Sequence, residues 1–324
     1  MIERAWVPMH GYDVISDELL CVLAEAAGED DVLMAEPMSK HTTFKIGGPA
    51  DVLVTPRSTK ALARVLDVCA LGEVPVTLVG NGSDLLVGDR GIRGVVVLLR
   101  ENLSGIEVDS GSWRVTAQAG ALLRDVALAA ADAGLTGMEP LWGIPATVGG
   151  ACFMNAGAYD GATGDVLESI QAYVPSRSGG RGSVHTFDVR DLAMGYRKSR
   201  VRDAGLIVLS ATFKLAPGNE AQIRAAMEDY RQRREEKQPL DLPSAGSTFK
   251  RPEGHFAGKL IMDAGLRGAR VGGAQVSEKH CGFVVNAGGA TARDVRALIE
   301  HVQETVRGKF GVELEPEVRM IGEF

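Results

Sequence analysis

The sequence has few cysteines, and their positions exclude several classes of protein. The four cysteines among 324 residues are Cys21, Cys69, Cys152 and Cys281. They lie far apart and form no CxxC pair, so neither a disulfide framework nor a zinc site is predicted. His255, His280 and His301 share no metal-ligand spacing, and we assign no metal. A reducing cytoplasm is the expected location.

Long apolar runs and an excess of positive charge are also absent. No apolar run approaches the roughly 18 residues of a membrane helix, and the first residues lack a basic-then-apolar signal, so no membrane insertion is expected. The formal net charge is −7, from 35 Lys plus Arg and 42 Asp plus Glu. Because there is no basic stripe, nucleic-acid binding is disfavoured. The basic run at 231–234, followed by Glu235 and Glu236, predicts a solvated helix face.

The length and the hydrophobic patterns predict an α+β protein of more than one unit. A chain of 324 residues is too long for one small core. The sequence suggests an N-terminal appendage at 1–35, a first unit at 36–110, a second at 111–218 and a third at 219–324. Strand and helix patterns alternate in the first unit, which is typical of an α/β arrangement.

Two helices have clear end signals. Ser58 is the expected N-cap of the first, whose apolar face is Leu62, Val65, Leu66 and Cys69 and whose stop is Gly72. The second spans 291–310 and has an apolar stripe that ends at Phe310. Thr291 and Asp294 are spaced as a capping box at its start, and Gly311 follows it.

Glycine is plentiful, with 40 residues, and two loops are dense in it. The stretch GNGSD at 80–84 follows a buried strand, and GIPATVGGACFMNAGAYDG occupies 143–161. Glycine permits positive φ, so successive backbone N–H groups can converge on an anion. Neither stretch is a P-loop or a GxGxxG motif. Two such loops suit a long ligand lying across two units, and the alternative is a glycine-rich loop between packed strands.

Three further stretches are ambiguous by themselves. Ser247 in PSAGSTFK lacks a GxSxG context, so a hydrolase nucleophile is disfavoured and a cap is the simpler interpretation. Arg197 in GYRKSR and Glu317 in LEPEVRMIG could be surface charges, as most arginines and glutamates are.

Taken in order, seven stretches resemble one family. They are TTFKIGGPAD, VGNGSDLLV, GIPATVGGACFMNAGAYDG, GYRKSR, PSAGSTFKRP, GHFAGKLI and LEPEVRMIG. Together they are similar to the UDP-N-acetylenolpyruvoylglucosamine reductases, the flavoenzymes of bacterial peptidoglycan precursor synthesis. Each motif alone is weak, but their shared order from Thr42 onward is specific.

The resemblance implies a fold and a cofactor. The fold is the two-subdomain FAD-binding fold of the vanillyl-alcohol-oxidase (PCMH) type, followed by a C-terminal α+β substrate-binding domain. FAD would be held without a covalent link, and NADPH would be the reductant. The residues implied to hold FAD are Gly80, Asn81, Gly82, Ser83, Gly143, Ile144, Pro145, Gly149, Gly150, Asn155, Ala156 and Gly157.

The resemblance also implies a reaction. Hydride would pass from flavin N5 to C3 of the enolpyruvyl group of a UDP-sugar, and negative charge would build at C2 and the adjoining carboxylate. Arg197 and Glu317 would stabilise that charge, and Ser247 would deliver the proton to C2. Beside an anion, Glu317 would have to be protonated or paired with Arg319.

Further residues are expected around the substrate. Tyr196 would pack beside it, and Arg319 would lie near the reacting group. The candidates for the UDP phosphates are Lys250, Arg251 and Lys259, for which a solvated surface charge is the alternative.

The chain resembles the shorter form of the family. Arg197 and Ser247 are fifty residues apart, which leaves no room for the tyrosine-bearing loop of the longer form. Two other functions remain open: an oxidase of the same fold, and a nucleotide-binding protein without turnover. Retention of Arg197, Ser247 and Glu317 favours the reductase. The sequence gives no prediction of oligomeric state.

Overall fold

The computed structural model describes residues 15–176 and 180–324. The first fourteen residues of the predicted N-terminal appendage lie outside this range. In the described part, the α-helices are α1 (Asp17–Ala27), α2 (Thr59–Leu71), α3 (Leu123–Asp132), α4 (Val148–Met154), α5 (Thr163–Val166), α6 (Arg200–Asp203), α7 (Glu220–Lys237), α8 (Ala257–Asp263) and α9 (Ala292–Phe310). Single 3-10 turns occupy Glu29–Asp31, Met38–Lys40, Glu101–Leu103, Glu139–Leu141 and Val189–Asp191.

Strands alternate with these helices in the first half of the chain and are short in the last third. In the described residues they are β1 (Val32–Pro37), β2 (Pro49–Val54), β3 (Val76–Val79), β4 (Leu85–Val87), β5 (Ile92–Leu98), β6 (Ile106–Asp109), β7 (Arg114–Gln118), β8 (Leu135–Thr136), β9 (Gly157–Ala158), β10 (Gly161–Ala162), β11 (Leu167–Val174), β12 (Ser183–Asp188), β13 (Ile207–Lys214), β14 (Ala216–Pro217), β15 (Arg270–Val271), β16 (Ala274–Val276), β17 (Val284–Asn286) and β18 (Arg319–Ile321).

The first unit is a small α/β sheet in the order β1-β2-β5-β3. Strands β2, β5 and β3 run parallel, and β1 pairs antiparallel with β2. Helix α2 is the crossover between β2 and β3. Ser58 caps it through the N–H of Ala61, Gly72 ends it, and its predicted apolar face is buried. The sequence prediction for this helix is confirmed.

The described part of the predicted appendage belongs to this first unit. Helix α1 packs against α2, and its Leu23 is fully buried in the same core. Strand β1 adds an edge to the sheet. These elements are therefore integral to the fold.

The second unit is an antiparallel sheet in the order β12-β11-β13-β7-β6. One continuous apolar core joins it to the first unit, because Val52 and Val95 belong to the same buried cluster as Val115 and Phe213. Helix α7, which the sequence analysis placed in the third unit, packs against α3 and the 3-10 turn that follows β8. Its Ile223 and Met227 are buried in that core.

The third unit packs α8 and α9 against the short antiparallel sheet β15-β16-β17. Helix α9 has the predicted capping box of Thr291 and Asp294, and Gly311 ends it in the left-handed conformation. Phe310, at the predicted end of its stripe, is instead partly exposed. The chain then returns to the first unit, where β18 pairs in parallel with β4.

Among the described residues, no helix combines the length and the apolar character needed to cross a membrane.

Candidate active site

A cavity of about 1830 Å³ lies where the three units meet. Small-molecule pockets usually measure about 300–1,000 Å³, so this one can hold a dinucleotide and part of a second ligand. Its wall contains all twelve residues that the sequence analysis assigned to the cofactor and, in addition, Tyr196, Arg197, Ser247, Glu317 and Arg319. Stretches far apart in the sequence therefore form one surface.

The two glycine-rich loops are bound directly to each other. The amide Nδ2 of Asn81 donates to the carbonyl oxygen of Pro145 (2.7 Å), and Arg100 donates to Oδ1 of Asn81 (2.8 Å). A side chain at Gly80 would collide with the hydroxyl of Thr147. Glycine is needed there because the two loops pack back to back.

The second loop contains a helix that the sequence analysis did not predict. Thr147 caps α4 through the N–H of Gly150, and Asn155 ends it in the left-handed conformation with φ 43°. The Asn155 amide donates to the carbonyl oxygen of Gly195 (2.9 Å), and its Oδ1 accepts from the N–H of Gly164 (2.8 Å). Asn155 thus fixes the turn that carries Arg197.

The predicted catalytic residues lie along one wall of the cavity. The Nε of Arg197 donates to Glu317, and both side chains are largely buried. The N–H of Glu317 donates to the carbonyl oxygen of Thr248 (2.8 Å), so Glu317 lies beside the exposed Ser247. Arg197 has a φ of 54°, a backbone strain of the kind found at functional sites. The partner of Glu317 is Arg197, whereas the sequence analysis had considered Arg319.

Asp84 is a second carboxyl group at this wall, which the sequence analysis did not single out. Its carbonyl oxygen accepts from the N–H of Arg319 (2.9 Å), and the Arg319 guanidinium stacks over the ring of Phe153 at 4.5 Å. Burial raises the pKa of Asp84 to about 7; the nearby Glu317 adds to the shift, and Arg197 and Arg319 oppose it. Burial also lowers the pKa of Arg319. The motif GNGSD contained Asp84, but its charged neighbours come from distant stretches.

Arg234 also reaches the cavity. Its Nη1 donates to the carbonyl oxygen of Gly143, and burial lowers its pKa. The expectation of a solvated helix face is wrong for this residue, although Arg231 does pair on the surface with Glu228 and Glu235. The signal that could have identified Arg234 is its position one heptad after the buried Met227, on the inward stripe of α7.

The three residues proposed for the UDP phosphates lie outside the wall of the cavity. Among the described residues that line the cavity, Lys250, Arg251 and Lys259 do not occur. Lys250 pairs with Glu315, and Lys259 pairs with Asp263 one helical turn away (2.7 Å). Arg251 covers the ring of Phe256 at 4.0 Å. Their contact with a substrate stays a prediction.

The cavity suits a flavin dinucleotide. Gly82 has a φ of +62°, and a Cβ there would collide with the backbone at His41, so only glycine fits at this point of the cavity wall. A long space lined by two glycine-rich loops, whose N–H groups can converge on an anion, fits a ligand that has both flat rings and phosphate oxygens.

Two family models match separate parts of the chain. A family model described as an FAD binding domain matches residues 50–176, and one described as the C-terminal domain of UDP-N-acetylenolpyruvoylglucosamine reductase matches residues 238–321. The fold and these matches define an FAD-dependent oxidoreductase.

Individual relatives are more specific. UDP-N-acetylenolpyruvoylglucosamine reductase of Agathobacter rectalis is 54% identical over 303 residues, covering 90% of this chain and 95% of the relative. That of Clostridium perfringens is 48% identical and covers 94% of this chain and 98% of the relative. The crystal structure of the enzyme (MurB) from Thermus caldophilus matches 90% of this chain and 98% of its own, with 35% identity and a TM-score of 0.73. The chain belongs to the UDP-N-acetylenolpyruvoylglucosamine reductase family.

Proposed function

We propose that this enzyme uses NADPH to reduce the enolpyruvyl group of UDP-N-acetylglucosamine enolpyruvate to UDP-N-acetylmuramate in peptidoglycan precursor synthesis, in the cytoplasm. The observation that carries the proposal is the convergence of Arg197, Glu317 and Ser247 on a cavity that is also lined by the two glycine-rich loops. A dinucleotide site alone would suit many oxidoreductases. The added arginine, glutamate and serine suit a substrate that gains negative charge and then a proton.

The two loops at 80–84 and 143–157 would hold FAD, with Asn81 fixing one loop to the other. When bound, FAD supplies hydride chemistry, taking a hydride from NADPH and giving one to C3 of the enolpyruvyl group. NADPH would leave before the sugar nucleotide enters, since both reactants must approach the same flavin ring.

The protein groups would stabilise the charge that develops at C2 and on the neighbouring carboxylate. Arg197 is already oriented by Glu317 and by the backbone turn at Gly195, so little reorganisation is needed when the charge appears. Ser247 would donate its proton to C2. A hydroxyl is a weak acid, but the carbanion it protonates is strongly basic.

Arg234 supplies a buried positive charge at the wall of the cavity. It donates to the carbonyl oxygen of Gly143 and also interacts with Tyr159, and a guanidinium has five N–H donors in all. It is a better placed candidate for a phosphate group than Lys250 or Lys259, each of which is engaged by a carboxylate.

The test is a two-stage titration without oxygen. NADPH should bleach the flavin absorbance of the purified protein, and the enolpyruvyl sugar nucleotide should restore it while UDP-N-acetylmuramate accumulates. Ser247→Ala should keep the first stage and lose product formation. The matched control is Ser244→Ala in the same loop, which should retain both stages.

Two results would contradict the proposal. If the flavin absorbance is restored without formation of UDP-N-acetylmuramate, the chain does not catalyse this reaction. Rapid reoxidation of the bleached flavin by oxygen, with no response to the enolpyruvyl compound, would favour an oxidase. Undiminished product formation by Ser247→Ala would remove the proton-donor role alone.

A further inference from the structure

Asp84 occupies an unusual position for a carboxyl group. It lies at the end of the first glycine-rich loop, immediately before β4, and it lines the cavity. Its Oδ2 is buried and has no hydrogen-bond partner among the described residues. An ionised carboxylate in such a place would normally be paired, because removing a charge from water is costly unless hydrogen bonds or an opposite charge compensate.

The charged groups around Asp84 come from two other segments. The chain at the start of β18 contributes Glu317 and Arg319, and the turn at 195–198 contributes Arg197. Arg197 already donates to Glu317. Arg319 is held beside Asp84 by its backbone bond to the Asp84 carbonyl, while its side chain stacks on Phe153.

The protonation state of Asp84 therefore sets the balance of charge at this wall. Arg202 also acts on Arg319, but its charge is paired with Asp203 (3.2 Å). With Asp84 neutral, the guanidiniums of Arg197 and Arg319 exceed the Glu317 carboxylate by one positive charge. When Asp84 is ionised, the four groups sum to zero, and Arg319 has an anion of the protein to interact with. The site would then attract a substrate carboxylate less strongly, because the negative charge of Asp84 acts more strongly in this low-dielectric region than it would in water.

Building on the proposed function, we propose that Asp84 is a positioning residue that works as a neutral carboxylic acid: it keeps Arg197 and Arg319 available to the carboxylate of the enolpyruvyl substrate, and its ionisation withdraws them. The proposal concerns substrate binding and the charge that develops during reduction, and it requires no direct contact between Asp84 and the reacting atoms.

The electrostatics of the site favour a neutral Asp84. Burial raises the pKa of Asp84 to about 7, and the charge of Glu317 acts in the same direction. The neutral form is therefore favoured below that pH. As the pH rises through it, Asp84 loses its proton and the excess positive charge at the wall disappears.

The kinetic test compares wild type, Asp84→Asn and Asp191→Asn across this pH range. Asn has the shape of a neutral Asp, and Asp191 is an exposed carboxyl group outside the cavity. For wild type, KM for the enolpyruvyl substrate should rise above neutral pH, approaching about tenfold per pH unit. Asp84→Asn should hold a low KM at all of these pH values, and Asp191→Asn should follow wild type. An alkaline rise of equal size in Asp84→Asn would overturn the proposal.

A second measurement does not depend on turnover. Infrared difference spectra of the flavin-loaded protein between acidic and alkaline pH should contain the C=O band of a protonated carboxyl that disappears near neutral pH. The band should be missing from Asp84→Asn and present in Asp191→Asn. If the wild-type protein lacks such a band, Asp84 is ionised throughout and the proposal fails, even if Asp84→Asn does not fold.

The two measurements separate this proposal from the proposed function. If the wild-type protein reduces no enolpyruvyl substrate but has the titrating band, the assigned reaction is wrong and the neutral acid at position 84 stands. If turnover is normal and the band is absent, the assigned reaction stands and the proposal that Asp84 is a neutral acid fails.

Discussion

A methyl group added at Gly82 should damage the flavin site in a predictable way. Gly82 has a φ of +62°, which costs a residue with a Cβ about 1–2 kcal/mol. The new Cβ would also lie 2.9 Å from the Cα of Thr42 and closer still to the carbonyl oxygen of His41. Because both are backbone atoms and Thr42 is buried, the clash cannot be relieved by a rotamer change. Overpacking of this kind adds about 1–3 kcal/mol.

Gly289 offers a matched control. Its φ is +64°, and a Cβ built there meets no atom within 4 Å. Gly289→Ala should therefore bear the conformational cost alone, and Gly82→Ala the conformational cost plus the clash. In denaturant unfolding of the flavin-free proteins, both should be less stable than wild type, and Gly82→Ala the less stable of the two.

The assay for function is FAD affinity, followed by the quenching of flavin fluorescence. If the loop relieves the clash by moving away from His41, its N–H groups leave their positions around the cavity. With about 1.4 kcal/mol for each factor of ten, we expect FAD to bind about 5- to 100-fold more weakly to Gly82→Ala and unchanged to Gly289→Ala. Equal FAD affinity and equal stability in the two variants would refute this account of the loop.

Two further predictions concern the same site. Asn155→Ala removes the hydrogen bonds to Gly195 and Gly164, so kcat/KM, measured per bound FAD, should fall about tenfold or more through misplacement of Arg197; an unchanged value would show that the turn keeps its conformation without Asn155. Burial raises the pKa of Cys152 to about 12 and that of Cys69 to about 11, and Cys281 is also buried, so a thiol reagent at mildly alkaline pH should modify only the exposed Cys21 rapidly and all four after unfolding. A second rapidly modified cysteine in the native protein would contradict the burial of Cys69, Cys152 or Cys281.

The elements with strong local signals could be predicted from the sequence. The caps Ser58 and Thr291 are found in the structure, as are the glycine stops. Helix α4 was missed because two of its seven residues are glycine, each costing a helix about 1 kcal/mol. Burial of Val148, Ala151 and Cys152 accompanies this helix. Such tertiary contacts have no local signature.

The candidate site likewise contains residues that could be predicted from the sequence and residues that could not. The loop residues and the catalytic candidates followed from a resemblance carried by contiguous motifs, and the cavity wall contains them. Arg234 and Asp84 depend on which residues the fold places opposite them. Arg234 belongs to a run whose other arginines are surface charges, and the chemistry of Asp84 arises from Arg197, Glu317 and Arg319. A local sequence pattern cannot predict a spatial contact with a residue more than a hundred positions away.

The pairing of β18 with β4 has a consequence for biosynthesis. Glu317 and Arg319 are synthesised well after both glycine-rich loops. Domains tend to fold in the order of synthesis, so the first unit can fold around β4 before its parallel partner β18 exists. A nascent chain that has not reached Glu317 therefore lacks both this strand pairing and the two charges proposed to act on the substrate, and catalytic competence comes late in synthesis.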